Sequence, residues 1–95
     1  MNRRSRTRFK TDLTVNVTCT DPRFVERARL SDLSVHGLSL VLKRKIPLGS
    51  IVTVEWGDTT FEGELIYCQS YGSGFMAGLK VDEAVYETAR KNITQ

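Results

Sequence analysis

The chain has 95 residues, 40% of them hydrophobic and 26% charged, and a formal net charge of +3 at pH 7. That length suits one domain with one core, and no apolar run approaches the roughly 20 residues of a membrane-spanning helix, so no membrane insertion is expected. The charge is unevenly placed: residues 1–10 hold five basic side chains and no acid, while residues 11–95 hold nine bases against eleven acids, a body too acidic for a surface built to grip DNA or RNA.

In chain order, residues 1–10 read as a flexible arginine-rich segment in which like charges repel. The segment lacks the 7–15-residue apolar stretch of a secretion signal, so a cytoplasmic location is expected. Residues 11–95 read as one folded body. Leu13, Val15, Val17 and Cys19 alternate with Thr14, Asn16, Thr18 and Thr20, the period of a strand with one buried face. Asp21-Pro22 marks a turn. Phe24, Ala28 and Leu30 then alternate with Val25, Arg27 and Arg29, with Glu26 breaking the apolar series, and this second strand leads into a turn over Asp32–Gly37.

Leu38, Leu40 and Leu42 form a third strand, stopped by Lys43-Arg44-Lys45 and Pro47-Leu48-Gly49, the charged run reading as a solvated loop able to touch an acidic partner. Ile51 to Trp56 is a fourth, closed by the hairpin signal Gly57-Asp58. Phe61 to Gln69 is a fifth, with Phe61, Gly63, Leu65 and Tyr67 on one face and Glu62, Glu64, Ile66 and Cys68 on the other. Ser70–Gly74 is a loop and Phe75 to Val81 a sixth strand. Beyond Asp82, the spacing of Ala84, Val85, Tyr86, Ala89 and Ile93 predicts a C-terminal α-helix, with acids at its start and Arg90-Lys91 near its end. The expectation is an all-β, six-stranded antiparallel barrel with a terminal helix. Cys19 and Cys68 fall in apolar alternating segments and read as free thiols.

Two motifs carry chemistry. Arg4 and Arg8 are separated by three residues, and Asp32-Leu-Ser34-Val-His-Gly37 follows the second strand. In this order, on a six-strand pattern, they resemble the PilZ domain, whose pattern is Arg-x-x-x-Arg followed by Asp or Asn-x-Ser-x-x-Gly. The closing Gly74-Phe-Met-Ala-Gly78-Leu-Lys-Val81 is also similar to that family's last strand. One departure is His36, where many members carry a second glycine. The resemblance implies a bacterial receptor for the second messenger cyclic di-GMP, with Arg4, Arg8, Asp32, Ser34 and Gly37 as ligand-binding residues; Arg3 and His36, outside the pattern but beside it, are secondary candidates.

These residue types suit that ligand. An arginine fork can hold a phosphate or the O6/N7 edge of guanine through two parallel hydrogen bonds, and its flat face can stack on a base. The Asp32 carboxylate can accept from guanine N1 and N2 or hold an arginine. Ser34 offers a hydroxyl, and Gly37 is expected to supply a positive φ at the turn and close backbone approach. Trp56, Phe61, Tyr67 and Phe75 read as core. His36 is the one histidine, Glu62 and Glu64 have no accompanying nucleophile, and no metal set is present in the sequence, so neither an enzyme nor a cofactor is expected.

The function expected is a receptor that orders its N-terminal arginine segment over the ligand and so alters a surface read by a downstream protein partner. Two alternatives belong to other classes. One is a protein-interaction module of the same fold without appreciable nucleotide binding; the other is a small barrel binding single-stranded nucleic acid, which the charge of the body opposes.

Overall fold

A computed structural model describes residues 9–21, 23–82, 87, 88 and 91. Six strands run in antiparallel pairs: β1 (Phe9–Thr20), β2 (Arg23–Ser34), β3 (Gly37–Leu42), β4 (Ile51–Trp56), β5 (Thr59–Tyr71) and β6 (Gly74–Lys80). Their order round the sheet is β1-β2-β3-β6-β5-β4, and β4 pairs back to β1 to close a barrel. The expected C-terminal helix lies outside the described residues, apart from the isolated positions Glu87, Thr88 and Lys91, which are helical.

Alternation dictates which side chains fill the barrel. Val15, Val17 and Cys19 from β1, Leu30 and Leu33 from β2, Leu38, Leu40 and Leu42 from β3, Val52 and Val54 from β4, Phe61 and Leu65 from β5, and Ala77 and Leu79 from β6 point inward and are buried. Each large aliphatic side chain so removed from water contributes roughly 1.5–3 kcal/mol. Trp56 and Phe61 pack edge to face at the rim, with ring centroids 5.6 Å apart. Cys19 is buried, Cys68 is half-buried, and both are free thiols.

Glu26, the residue that breaks the apolar series of β2, also points inward. Its carboxylate accepts from the Lys43 backbone N–H and pairs with Arg44 at 3.4 Å, and the Arg44 guanidinium lies 4.4 Å above the Phe24 ring. The Lys43-Arg44-Lys45 run is therefore only partly the solvated loop that its composition predicts. One of its members, Arg44, packs on Phe24 and pairs with Glu26.

Three bulges interrupt the pairing. An extra residue enters β1 between Lys10 and Leu13, β2 gains one between Leu30 and Asp32 against β3, and β5 gains one between Leu65 and Tyr67 against β6. Each bulge reverses which residues face outward beyond it. As a result β1 begins at Phe9 rather than Leu13, so Phe9 and Lys10, assigned by sequence to the N-terminal segment, belong to the barrel. Likewise β2 extends through Asp32 to Ser34, leaving a turn of only Val35 and His36 where the sequence predicts one over Asp32–Gly37.

Candidate functional site

Directly opposed residues on neighbouring strands share a face of the sheet. Lys10 on β1 opposes Asp32 on β2, which opposes Ser39 on β3, which opposes Gly78 on β6, which opposes Tyr67 on β5. A cation, a carboxylate, a hydroxyl, a bare backbone and an aromatic ring therefore form one row across five strands on the outside of the barrel. The neighbouring outer row is Ser34, Gly37 and Lys80, continued by Glu64. The two rows bring the second motif against residues 40 positions away in sequence.

Tyr67 corrects the sequence reading. The alternation Phe61, Gly63, Leu65 carries it to the core, but the bulge before it turns it outward, where it is 37% exposed. Its ring lies flat over Gly78, so close that a Cβ there would sit 2.2 Å from a ring carbon. Its phenol and the Ser39 hydroxyl are hydrogen-bonded at 3.3 Å. Glycine at 78 thus makes the berth for the ring, and Ser39, buried, fixes the ring's far end.

Gly37 is needed for a reason other than the expected one. Positive φ occurs at Gly49, Gly57 and Gly72 and not at Gly37. A Cβ on Gly37 would instead lie 2.1 Å from the Leu79 carbonyl oxygen, so the residue is glycine because β3 and β6 approach too closely for any side chain. The buried Ser34 hydroxyl donates to the Gly37 carbonyl at 3.3 Å, closing the hairpin. The Val81 N–H donates to the His36 carbonyl at 3.4 Å and ties the turn to the chain following β6.

Ser34, His36, Gly37, Ser39, Ile66, Tyr67 and Gly78 line a shallow cleft of about 110 Å³. Sites that enclose a small molecule run to about 300–1,000 Å³. The cleft therefore seats one flat portion of a ligand rather than the whole. His36 is exposed at its rim, and Asp32 is half-buried one strand away. Arg3, Arg4 and Arg8 lie outside the described residues. The structure thus brings Asp32, Ser34, His36 and Gly37 together and adds Ser39, Tyr67 and Gly78. Among the described residues no group of His, Cys, Asp or Glu could hold a metal ion, and no helix is long and apolar enough to cross a membrane.

Comparison with known proteins gives two findings. A family model described as the PilZ domain matches residues 2–95. Among solved structures, the PilZ domain with c-di-GMP of YcgR from Escherichia coli matches with a TM-score of 0.65 at 19% identity, covering 98% of this chain and 90% of that one. At that identity the likeness concerns the fold. No curated protein matches the chain.

Proposed function

The chain belongs to the PilZ domain family, and from that premise we propose that it is a receptor for cyclic di-GMP that signals to another protein. The observation that carries the reading is the outer row in which an aromatic ring, seated over a glycine, lies in line with a carboxylate beside a cleft sized for a flat group. A guanine stacks on the outer side of Tyr67 with its edge toward Asp32, the ring being able to lie close to the sheet because residue 78 is glycine. The solved PilZ domain of the same fold was determined with c-di-GMP, which supports the ligand class.

Arg4 and Arg8, with Arg3 beside them, supply the phosphate and guanine-edge contacts in this reading. β1 enters the barrel at Phe9, opposite Leu33 and next to the motif strand. Arg4 is five residues from that point, a reach of at most about 17 Å. Ordering the segment over the ligand costs conformational entropy and changes the surface offered to a partner. His36 contributes from the rim. The second reading, a barrel that binds proteins without nucleotide, is favoured by one observation: the Ser34 hydroxyl already has a role in closing its own hairpin.

The test is isothermal titration of cyclic di-GMP into the parent, Arg8→Ala and Tyr67→Ala, with cyclic di-AMP as control. Saturable, guanine-selective binding by the parent is expected. Removing Arg8 takes away charged hydrogen bonds of ~1.5–3 kcal/mol, a loss of roughly 10- to 150-fold. Removing Tyr67 takes away stacking of ~1–3 kcal/mol, a loss of roughly 5- to 150-fold. A folded parent that gives no heat sinks the receptor reading and leaves the interaction module.

A further inference from the structure

The pairing of β2 with β3 ends at Arg29 and Val41, while β2 continues back to Arg23. Among the described residues, Arg23–Ala28 pair with β1 alone, so one side of this half-strand has no neighbouring strand. Such an edge presents unpaired backbone groups and can accept a further strand. A groove of about 510 Å³ runs alongside it, walled by Arg27 and Arg29 on one side and by the tip of the β5–β6 hairpin, Tyr71–Gly74, on the other, with Lys43 at its end.

The groove is cationic. Arg27, Arg29 and Lys43 line it and no acid does. The acid closest in sequence, Glu26, points into the barrel and is held by Arg44 and by the Lys43 N–H. Asp12 touches Arg29 at 3.7 Å from a highly exposed position, a pairing of small energetic weight. Tyr71, 48% exposed, offers an aromatic anchor, and Val25 stands outward on the same edge. Tyrosine and arginine are the residue types that carry most binding energy at protein interfaces. The trough is open rather than enclosing, which suits an extended chain better than a small molecule.

We infer that β2 residues Arg23–Ala28 and this groove form a docking site for an extended acidic segment of a partner protein, added as a strand to the β2 edge. Its alternate side chains place a carboxylate opposite Arg27, where Arg29 and Lys43 also line the groove, and an apolar group against Tyr71. Opposite charges directly across a strand pair attract, which selects acidic over basic segments. The groove lies on the same outer face as the row containing Asp32 and Tyr67, the row of Arg29, Val41, Met76 and Gln69 running between them with Arg29 and Val41 forming part of the groove's wall. This assignment goes beyond nucleotide binding and stands independently of it.

The probe is a fluorescein-labelled ten-residue peptide alternating glutamate and valine, titrated into the whole chain at physiological salt and read by anisotropy. Controls carry lysine for glutamate or proline for valine. Saturable binding of the acidic peptide is expected, weakened roughly tenfold by Arg27→Glu with Arg29→Glu and less by Arg27→Gln, with the lysine and proline peptides silent. Thermal melting of each variant separates lost docking from lost fold. The inference is overturned by a folded parent that does not bind, by variants that bind equally well, by a proline peptide that binds as tightly, or by a single-stranded oligonucleotide that takes the groove in the peptide's place. A concentration-dependent dimer abolished by the same variants also overturns it, assigning the edge to a second copy of the chain.

Discussion

The two ends of the outer face of this barrel are built differently. At the motif end, the decisive features are absences of side chain: Gly37, where β3 meets the β6 backbone, and Gly78, where the Tyr67 ring lies. Around them Ser34 and Ser39 are buried and hydrogen-bonded. At the groove end, the features are long exposed side chains, Arg27, Arg29, Lys43 and Tyr71, gathered beside an incompletely paired strand. The first region is specified by close packing, so its chemistry and its stability are coupled. The second is decoration on a finished scaffold, and its chemistry can change while the scaffold stays.

Substitutions test that contrast. The largest effect belongs to Gly37→Ala, whose Cβ meets a backbone carbonyl that cannot move without parting β3 from β6. Overpacking of this kind costs about 1–3 kcal/mol, and each kcal/mol lowers the melting temperature by roughly 4–8 °C in a domain of this size. Urea denaturation of parent and variant measures it. Gly78→Ala comes next and differs in kind: its Cβ meets a side chain, so the Tyr67 ring swings away. Its stability loss should be smaller than that of Gly37→Ala, while nucleotide affinity falls as far as in Tyr67→Ala. A Gly78→Ala protein that keeps full affinity would show that the ring position is irrelevant to binding.

Tyr67→Phe sharpens the comparison further. It keeps the ring and loses only the bond to Ser39, with an expected stability cost of about 0.5–1.5 kcal/mol. Smallest of all, Arg27→Ala and Arg29→Ala should change stability by no more than about 0.5 kcal/mol, because exposed side chains with one loose ion pair contribute little. If either arginine mattered to melting as much as Gly37, the division between packed site and surface decoration would fail.

Much of this architecture was legible in the residue pattern. Period-2 alternation located all six strands, placed Ile51–Trp56 at its observed bounds, and put the leucines of β3 in the core. The closeness of Asp32, Ser34 and Gly37 followed from their spacing, although the sequence placed all three in one turn and the structure places them on adjacent strand ends about a two-residue hairpin. What was hidden came from the bulges and from contacts between distant strands. An extra residue in β5 leaves no mark in local composition, so the alternation assigned Tyr67 to the interior. The need for glycine at 37 arises from Leu79, more than 40 positions on, and a local reading ascribes it to a turn angle. Glu26 looked like a defect in β2 because its partners, Lys43 and Arg44, lie in the segment that follows β3.

The bulge in β5 has a consequence for how this surface can be gained or lost. Inserting one residue into β6 between Gly78 and Leu79 would give Ile66 a partner, restore an unbroken two-residue period and carry Tyr67 to the inner side with no functional group removed from the chain. A change in length, rather than in chemistry, is then the shortest route between a barrel that presents an aromatic platform and one that hides it. Two such chains would remain nearly identical residue by residue. Relatedness scored by identity would miss the difference, and only counting the positions between Leu65 and Leu79 would reveal which of the two a sequence encodes.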